Sequence, residues 1–277
     1  MVMFMMNINL NTLDKELNKM PPQNNRDNNR NQGRNDNRRG NNGRPQRKPF
    51  KRLTDAEREE RSRVQAAQEL EAWKPRTSLG MKVKTGKIKT MDEALNYRIL
   101  EAEIVDSLIK TKSDILNIGQ AKGKFGGGKR RAWRQTQRKT KEGNVPTFSC
   151  MAVAGDGDSY IGLGYGRAKE TLPARAKAVR KAKLNVFKID KACSSFDCTC
   201  GEPHTVPFIV EGKSGSCKVK LMPAPQGTGL VVGDELKKIL RIAGIKDVYS
   251  VTSGKIRTTL NLAKACVKAL EKTRRDE

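Results

Sequence analysis

The excess of positive charge is the feature that most constrains what this chain can fold into and bind. It has 56 Lys and Arg residues against 30 Asp and Glu residues, a formal net charge of +26. Because such an excess repels itself in a compact state, a polyanion must neutralise it, either nucleic acid or an anionic membrane surface. No stretch approaches the ~20 apolar residues that span a bilayer, so we expect nucleic acid and no membrane. The low aromatic content, 5%, favours recognition of phosphate and shape over base stacking.

The N-terminal end predicts a disordered extension followed by a helix. Residues 21–52 are almost entirely Asn, Arg, Gln and Gly, with ten basic residues, so they cannot bury enough apolar surface to fold alone. The apolar residues 1–10 lack the basic region and cleavage site of a secretion signal, which indicates a cytoplasmic protein. Thr54 and Glu57 have the spacing of a capping box and predict a helix over residues 54–73.

The next residues predict a first folded unit in the order α-β-β-β-α. A second capping box, Thr90 and Glu93, begins a predicted helix over residues 90–109. Strands are predicted over 115–118, 148–154 and 160–165, and a helix over 168–187. The predicted buried stripe of that helix consists of Leu172, Ala176, Val179, Ala182 and Val186. This order of elements is that of double-stranded-RNA-binding domains.

The residues from 190 onward predict a second, α/β unit. Strands are predicted over 205–210, 217–222 and 248–252, and Asp234 begins a helix that Gly244 ends. The last helix is predicted to bury Leu262, Cys266, Ala269 and Leu270. The predicted fold class is therefore α+β. Its predicted divisions are an extension (1–53), a helix with a linker (54–89), an N-terminal domain (90–189) and a C-terminal domain (190–277).

A run of one-signed charge lies between residues 122 and 141, where nine residues are Lys or Arg and none is acidic. Its three consecutive glycines allow close approach of the backbone to a phosphate, which the flanking cations would hold. A solvated charged loop is the alternative, but the glycines and the position between strands favour RNA. The predicted RNA-binding residues of this run are Lys122, Lys124, Gly126, Gly127, Gly128, Lys129, Arg130, Arg131, Arg134, Arg138 and Lys139.

The same run also has the spacing of a nucleotide-binding phosphate loop. Gly123, Gly128 and Lys129 match that spacing, but Arg130 stands where a Ser or Thr must bind magnesium. The glycines also do not lie between a hydrophobic strand and a helix. We therefore predict no nucleotide hydrolysis.

A second group of glycines is Gly162, Gly164 and Gly166. They resemble a dinucleotide-binding motif only faintly, because the third glycine falls one residue early and no acidic residue follows at the ribose-binding distance. They are better interpreted as the glycine-lined end of a strand that leads into a helix N-terminus. There, free N–H groups with Arg167 and Lys169 are predicted to bind an RNA phosphate.

Cysteine and histidine side chains cluster in the segment before the second unit. Cys193, Cys198, Cys200 and His204 have the spacing C-x4-C-x-C-x3-H, which could surround tetrahedral zinc, with Cys217 as an alternative fourth ligand. The alternative is four unligated groups in a loop of a reducing cytoplasm. Zinc is thus a possible cofactor, and no other cofactor is predicted.

Catalysis is not predicted anywhere in the chain. His204 is the only histidine, and no Ser-His-Asp arrangement or acid/base pair surrounds it. The two remaining cysteines, Cys150 and Cys266, are predicted to be small core residues. We expect neither an enzyme nor a small-molecule substrate.

Three segments resemble one known family. They are GDGDSYIGLGYGRAKE at residues 155–170, GEPHTVPF at 201–208 and LMPAPQGTGLVVGDELKKILRIAGIKDVYS at 221–250. They resemble the universal small-subunit ribosomal protein number five family in its archaeal and eukaryotic branch, and the cysteine-rich segment looks archaeal. The resemblance covers residues 73–273.

The resemblance implies both a fold and a function. The N-terminal domain would be similar to a double-stranded-RNA-binding fold, and the C-terminal domain would be an α/β unit with a left-handed βαβ crossover. The implied protein is a structural constituent that binds small-subunit rRNA near the messenger RNA entry pore, supports translational accuracy and adjoins the ribosomal proteins numbered two, four and eight. The run 122–141 lies where the family has a shorter RNA-contacting hairpin loop. A free-standing RNA-binding regulator and an RNA-processing enzyme are the alternative functions.

Overall fold

The computed structural model of the chain describes residues 54–121 and 130–274. The predicted disorder of residues 1–53 and the glycine-rich part of the basic run therefore lie outside the described residues. In the described ranges, the helices are α1 (Asp55–Ala72), α2 (Ser78–Lys84), α3 (Met91–Leu95), α4 (Ala102–Leu108), α5 (Thr171–Leu184), α6 (Asp234–Ile242) and α7 (Thr259–Glu271). The strands are β1 (Lys112–Leu116), β2 (Trp133–Thr140), β3 (Gly143–Gly155), β4 (Tyr160–Ala168), β5 (Val186–Lys188), β6 (Val210–Ser214), β7 (Cys217–Pro223), β8 (Leu230–Val231) and β9 (Val248–Ser253).

Helix α1 begins at the predicted capping box. The hydroxyl of Thr54 accepts a hydrogen bond from the backbone N–H of Glu57, and the Glu57 carboxylate accepts one from the backbone N–H of Thr54. These two bonds satisfy N–H groups that the first turn of a helix leaves free. None of the helices in residues 54–121 and 130–274 is long and apolar enough to cross a membrane.

The single helix predicted over residues 90–109 is wrong, because the chain there forms α3 and α4 with an extended segment between them. Thr90 makes no side-chain capping bond. The extended segment between α3 and α4 places Glu101 at the start of α2, a helix that was not predicted from the sequence. There the Glu101 carboxylate accepts hydrogen bonds from the backbone N–H groups of Arg76 and Thr77 at 2.9 and 2.7 Å. Tertiary contacts override the local helical pattern here.

The first sheet has the order β1-β3-β4-β5, with β2 also paired to β3. Strand β3 is long, with 13 residues, and its two halves have different neighbours. The half that ends at Gly155 pairs with β1, and the half that begins at Gly143 pairs with β2 in an antiparallel hairpin. Strand β2 lies inside the run that was predicted to be a loop. Its residues are polar on both faces, so the alternation that predicts a half-buried strand is missing.

Helix α5 packs on this sheet through alanines. The predicted buried stripe is correct for Ala182 and Val186, whereas Leu172 is 72% exposed. The residues that α5 itself buries are Ala174, Ala178 and Ala182. The helix also begins later than predicted, because β4 continues to Ala168. The reason for the alanine face lies in the opposing strand β4, whose glycines approach the helix backbone closely.

The second sheet has the order β6-β7-β9-β8, and β8 and β9 are parallel neighbours joined through α6. The strand predicted over 205–210 is wrong. Thr205 instead forms an isolated bridge with Ala192, and the strand β6 begins only at Val210. Gly233 rather than Asp234 is the N-cap of α6, and the helix ends as predicted before Gly244, whose φ of +74° favours glycine. The handedness of the β8-α6-β9 connection stays a prediction.

The two sheets share one hydrophobic core. Met151, Val153 and Ile161 of the first sheet belong to the same buried cluster as Leu236 and Ile239 of helix α6. The predicted α+β class is confirmed, with two sheets and helices that cover them. Within the described ranges, Cys150 and Cys266 are fully buried core residues, as predicted.

Candidate functional sites: a cationic ribbon and a cysteine cluster

Strands β2 and β3 extend beyond the sheet as a two-stranded ribbon, residues 133–148. The other neighbour of β3, strand β4, ends at Ala168 opposite Phe148, so the pairs beyond that point have no third strand. Every residue from Arg134 to Val145 is exposed. Because an isolated two-stranded hairpin is only marginally stable in water, the ribbon is suited to a surface that meets a partner.

Three predicted RNA-binding arginines lie on one face of this region. Arg134 of β2 and Arg167 of β4 both pair with Ser149 of β3, and directly paired residues point to the same side of a sheet. Neighbouring strands are about 4.8 Å apart, so the two arginines stand about 10 Å apart across the face. Arg138 lies four residues farther along β2 on the same face. The structure thus gathers residues that are 33 positions apart in the sequence into one cationic surface.

The remaining predicted cations of the ribbon region lie around this face. Lys139 points to the other side of the ribbon, and Lys169 is exposed just past the end of β4. At the ribbon base, Arg131 is exposed and its carbonyl accepts the Gly119 N–H at 2.9 Å. Arg130 donates a hydrogen bond to the carbonyl of Arg257 at 2.9 Å, so it contacts the second half of the chain. The predicted residues outside the described ranges are Lys122, Lys124, Gly126, Gly127, Gly128 and Lys129.

Several cations of helix α5 have partners inside the protein instead. Lys183 pairs with Asp106 at 2.7 Å, and Arg180 lies 3.6 Å from Glu103. The guanidinium of Arg175 stacks over the ring of Trp133 at 5.3 Å from its centre. These contacts attach the helix to α4 and to the base of the ribbon. No sequence motif signals the Trp133–Arg175 contact, which joins residues 42 positions apart.

The glycines Gly162, Gly164 and Gly166 have a packing role that the sequence did not predict. All three face helix α5, and a Cβ on any of them would overlap the helix backbone, for Gly164 at the carbonyl oxygen of Ala178. The matching helix residues are Ala174, Ala178 and Ala182, in reverse order along the strand. Two residues of a strand rise about 6.6 Å and four residues of a helix rise about 6 Å. Each glycine of β4 therefore lies opposite one alanine of α5. The predicted contact of these glycines with RNA stays a prediction.

The cysteine and histidine side chains predicted to bind metal lie together. The ligating atoms of Cys193, Cys198, Cys200 and His204 are all within 4.8 Å of one another. The Cys198 sulfur is 3.3 Å from that of Cys200 and 3.4 Å from His204 Nε2, and the sulfurs of Cys200 and Cys193 are 3.5 Å apart. Tetrahedral zinc with bonds of about 2.3 Å to sulfur separates its ligands by about 3.8 Å. The cluster therefore fits a tetrahedral cation with small adjustments.

The thiols of the cluster differ in acidity. Hydrogen bonds with the backbone at Cys200 and at Gln226 lower the pKa of Cys198 to about 6. For Cys200, a hydrogen bond with the backbone at Glu202 acts to lower the pKa, but the neighbouring thiols of Cys198 and Cys193 outweigh it and raise the pKa to about 11. One thiolate thus forms near neutral pH and disfavours the next, a repulsion that a bound cation would relieve.

The alternative fourth ligand, Cys217, is not part of this cluster. It is fully buried in β7, and its thiol donates to the carbonyl of Lys255 at 3.1 Å. Strand β7 points its odd-numbered residues into the core shared with α7, away from the segment that carries the other thiols. The prediction of His204 as the fourth member is the one that agrees with the geometry.

Two family models match the chain. The N-terminal domain of ribosomal protein S5 matches residues 118–190, and the C-terminal domain of ribosomal protein S5 matches residues 212–277. The chain is 48% identical over 208 residues to the small ribosomal subunit protein uS5 of Pyrobaculum islandicum, over 74% of this chain and 96% of that protein. It is 45% identical over 206 residues to uS5 of Nanoarchaeum equitans, over 73% of this chain and 88% of that protein.

The chain belongs to the uS5 family. Its relatives named here are archaeal, which confirms the predicted branch. Ribosomal proteins of this family are a structural, non-enzymatic class, and translation and RNA binding fit the family. A structural role in the small ribosomal subunit is therefore the function that the chain shares with its relatives.

One residue near the cysteine cluster has no signal in the sequence. Asp247, in the turn between α6 and β9, lies with its Oδ2 atom 3.0 Å from Nδ1 of His204. Both side chains are almost fully buried, at 5% and 2% exposure. The two residues are 43 positions apart and share no spacing motif, so only the folded chain brings them together.

Proposed function

We propose that this uS5 chain binds small-subunit rRNA through the cationic ribbon and its base, near the messenger RNA entry pore, and supports the accuracy of translation. The observation that carries the proposal is the ribbon, which extends from the sheet with cations on both faces and no core of its own. Phosphate contacts supply most of the sequence-independent affinity of such surfaces. The RNA-contacting residues proposed are the predicted residues of the run 122–141, together with Arg167 and Lys169.

The proposal extends to the surroundings of the protein. Neighbours would be the small-subunit proteins numbered two, four and eight, with messenger RNA close by, in a cytoplasmic ribosome. The chain divisions 1–53, 54–89, 90–189 and 190–277 are proposed as functional units, the third carrying the predicted RNA-binding residues. What supports these statements is the resemblance of three long segments to the family.

Replacement of Arg134, Arg138 and Arg167 by Ala tests the ribbon directly. We expect the affinity for a fragment of small-subunit rRNA to fall about 100-fold at low salt. The slope of log K against log salt should flatten by about 0.7–0.9 per lost phosphate contact. The measurement is a salt series of binding isotherms by fluorescence anisotropy. A control with the same change of charge replaces Lys87, Lys89 and Lys110, which are exposed far along the chain from the ribbon.

Equal losses in the two triple variants would show that only net charge matters, and would contradict a localised RNA surface. Sucrose-gradient fractionation separates the ribosomal role from that of a free-standing RNA-binding regulator. A ribosomal constituent stays stoichiometric with the small subunit after a high-salt wash, whereas a regulator is released into the light fractions.

We also propose that the cluster of Cys193, Cys198, Cys200 and His204 binds one structural zinc ion. The support is geometric, since three sulfurs and one imidazole nitrogen converge at distances near those of a tetrahedral site. The segment offers few apolar anchors, and Phe196 is fully exposed. A metal would therefore stabilise a loop that packing alone holds weakly.

Elemental analysis of the full-length protein tests the zinc site. We expect one zinc per chain after expression with zinc, and loss of that zinc in the variant Cys198→Ser. The variant Cys217→Ser is the matched control, because it changes a thiol outside the cluster and should retain zinc. Absence of zinc in the wild-type protein, with the three cluster thiols freely alkylated under native conditions, would leave an unligated loop.

A further inference from the structure

The imidazole of His204 lies between the thiols on one side and a buried carboxylate on the other. Its Nε2 atom is 3.4 Å from the sulfur of Cys198, and its Nδ1 atom is 3.0 Å from Oδ2 of Asp247. The second contact has the distance of a hydrogen bond, although Nδ1 is a buried atom that makes none in this structure.

Asp247 is itself held in place. Its Oδ1 atom accepts the N–H of Gly229 at 2.7 Å. Its backbone N–H and that of Lys246 both donate to the carbonyl of His204, at 3.2 and 3.0 Å. The chain segments of His204 and Asp247 are thus joined by backbone bonds as well as by side chains, which fixes the position of the carboxylate relative to the imidazole.

A buried carboxylate beside an imidazole determines which nitrogen carries the proton. A neutral imidazole has one N–H and one lone pair, and only the lone pair can bind a metal. Because a carboxylate accepts but cannot donate, it holds the proton on Nδ1 and leaves the lone pair on Nε2. That lone pair faces the thiols. Metal-binding histidines usually donate their other N–H to a carboxylate, a carbonyl or a water in this way.

We propose that Asp247 is the positioning residue of the metal site: it fixes the tautomer and orientation of His204 so that Nε2 completes the cysteine cluster. The proposal rests on the zinc site proposed above and adds a residue that binds no metal itself. Through Gly229, the same carboxylate connects the cluster to the loop that precedes β8, so the metal is linked to the edge of the second sheet.

The variant Asp247→Asn tests this role in the full-length protein. An amide has nearly the same size, and its oxygen can still accept the Gly229 N–H. Its NH2 group then faces Nδ1 and favours the proton on Nε2, where it blocks the metal. We expect zinc affinity, measured by competition with a chromophoric chelator, to fall about 10- to 100-fold. The matched control is Asp197→Asn, an exposed carboxylate beside Cys198, which should change the affinity less than twofold.

A second measurement separates positioning from a general effect on stability. His204 is the only histidine in the chain, so nitrogen NMR of the labelled imidazole reports its tautomer without overlap. The zinc-bound wild-type protein should show a proton on Nδ1 and a metal-shifted Nε2. Zinc on Nδ1, or unchanged zinc affinity in Asp247→Asn, would overturn the proposal. The wild-type spectrum decides the question even if the variant does not fold. If the wild-type protein bound no zinc at all, the zinc site proposed above would be wrong. That result differs from zinc on Nδ1 and from unchanged affinity in Asp247→Asn.

Discussion

The two halves of strand β3 are both paired with neighbouring strands but have opposite surroundings. Residues 150–155 are all fully buried between helix α5 and the core shared with the second sheet, whereas residues 143–145 are exposed on both faces of the ribbon. The buried half is determined by packing within the chain. The exposed half has the strand pairing but no core, and its flanking strand β2 carries cations. One strand therefore contributes both to the buried core and to the surface proposed to bind RNA.

This contrast shows how one strand can carry cations beyond the folded core of the protein. The direction of the ribbon is set by the buried half of β3, because both halves belong to one continuous strand. The arginines of the ribbon are therefore positioned although no core lies beneath them. The buried half can do this because Gly162, Gly164 and Gly166 let helix α5 approach the sheet at backbone distance. The stability of the protein and its RNA surface should consequently respond to different substitutions.

The largest expected effect is at the contact of the sheet with helix α5. Gly164→Ala places a methyl group against the carbonyl of Ala178, which is backbone and cannot move aside. We expect the free energy of unfolding to fall by about 3 kcal/mol or more. Urea denaturation, with the midpoint compared at constant slope, measures this loss.

The matched control for this substitution is Gly233→Ala. Gly233 has an ordinary φ of −63°, and a Cβ there would meet no atom within 4 Å. Its replacement should cost less than about 1 kcal/mol. If the two variants unfolded at similar urea concentrations, close packing of the glycine strand on α5 would not be what stabilises this sheet.

A smaller loss of unfolding free energy is expected when a valine of β3 is truncated, and it should differ between the two halves of the strand. Val153 is fully buried and Val145 is 39% exposed on the ribbon. Truncation of Val153 to Ala should cost about 2 kcal/mol, from the lost apolar burial and the cavity left behind. The variant Val145→Ala should stay within about 0.5 kcal/mol of the wild type. Thermal and urea unfolding of both variants measure the difference, and equal losses would mean that the ribbon packs on the folded chain.

The smallest of the three effects concerns a carboxylate that lies outside both halves of β3. Burial acts to raise the pKa of Glu101, but N–H donors at Arg76, Thr77 and Trp73 outweigh it and hold the pKa below its ordinary 4.5. The pKa of Glu101 is lower in the folded state than in the unfolded state. The ionised carboxylate therefore stabilises the fold above about pH 4.5. That stabilisation is lost as the pH falls through the folded-state value.

The variant Glu101→Gln should therefore lose about 1–2 kcal/mol at pH 7. Its deficit relative to the wild type should shrink as the pH is lowered below about 4.5, because the wild-type carboxyl is then protonated too. Urea unfolding of both proteins across that pH range is the measurement. A deficit that did not change with pH would show that shape rather than charge matters at this position.

Elements with a strong local pattern were predictable from the sequence. The capping box of α1 and the apolar stripes of α6 and α7 depend on residues three or four apart, and the structure has those helices where they were predicted. Strand β2 was not predictable, because exposure on both faces removes the alternation that identifies a strand. The helix over 90–109 was predicted wrongly, because contacts of Glu101 with a distant turn outweigh the local pattern.

The region of the cysteine cluster was likewise predictable only in part. The clustered residues Cys193, Cys198, Cys200 and His204 lie within 12 residues, so their spacing was enough to predict the cluster. The contact of Asp247 with His204 was not predictable, since it depends on the turn between α6 and β9 folding back to His204.

The sequence by itself determined the charge of this protein, its family, the order of most of its elements and the members of its cysteine cluster. Only the tertiary structure decided that Arg134 and Arg167 share a face, that alanines rather than Leu172 are buried in α5, and which carboxylate faces His204. The physical reason is the sequence separation between the residues that determine each feature. Capping, periodicity and ligand spacing act over a few residues, whereas a cross-strand row or a buried pair exists only after distant segments have packed together.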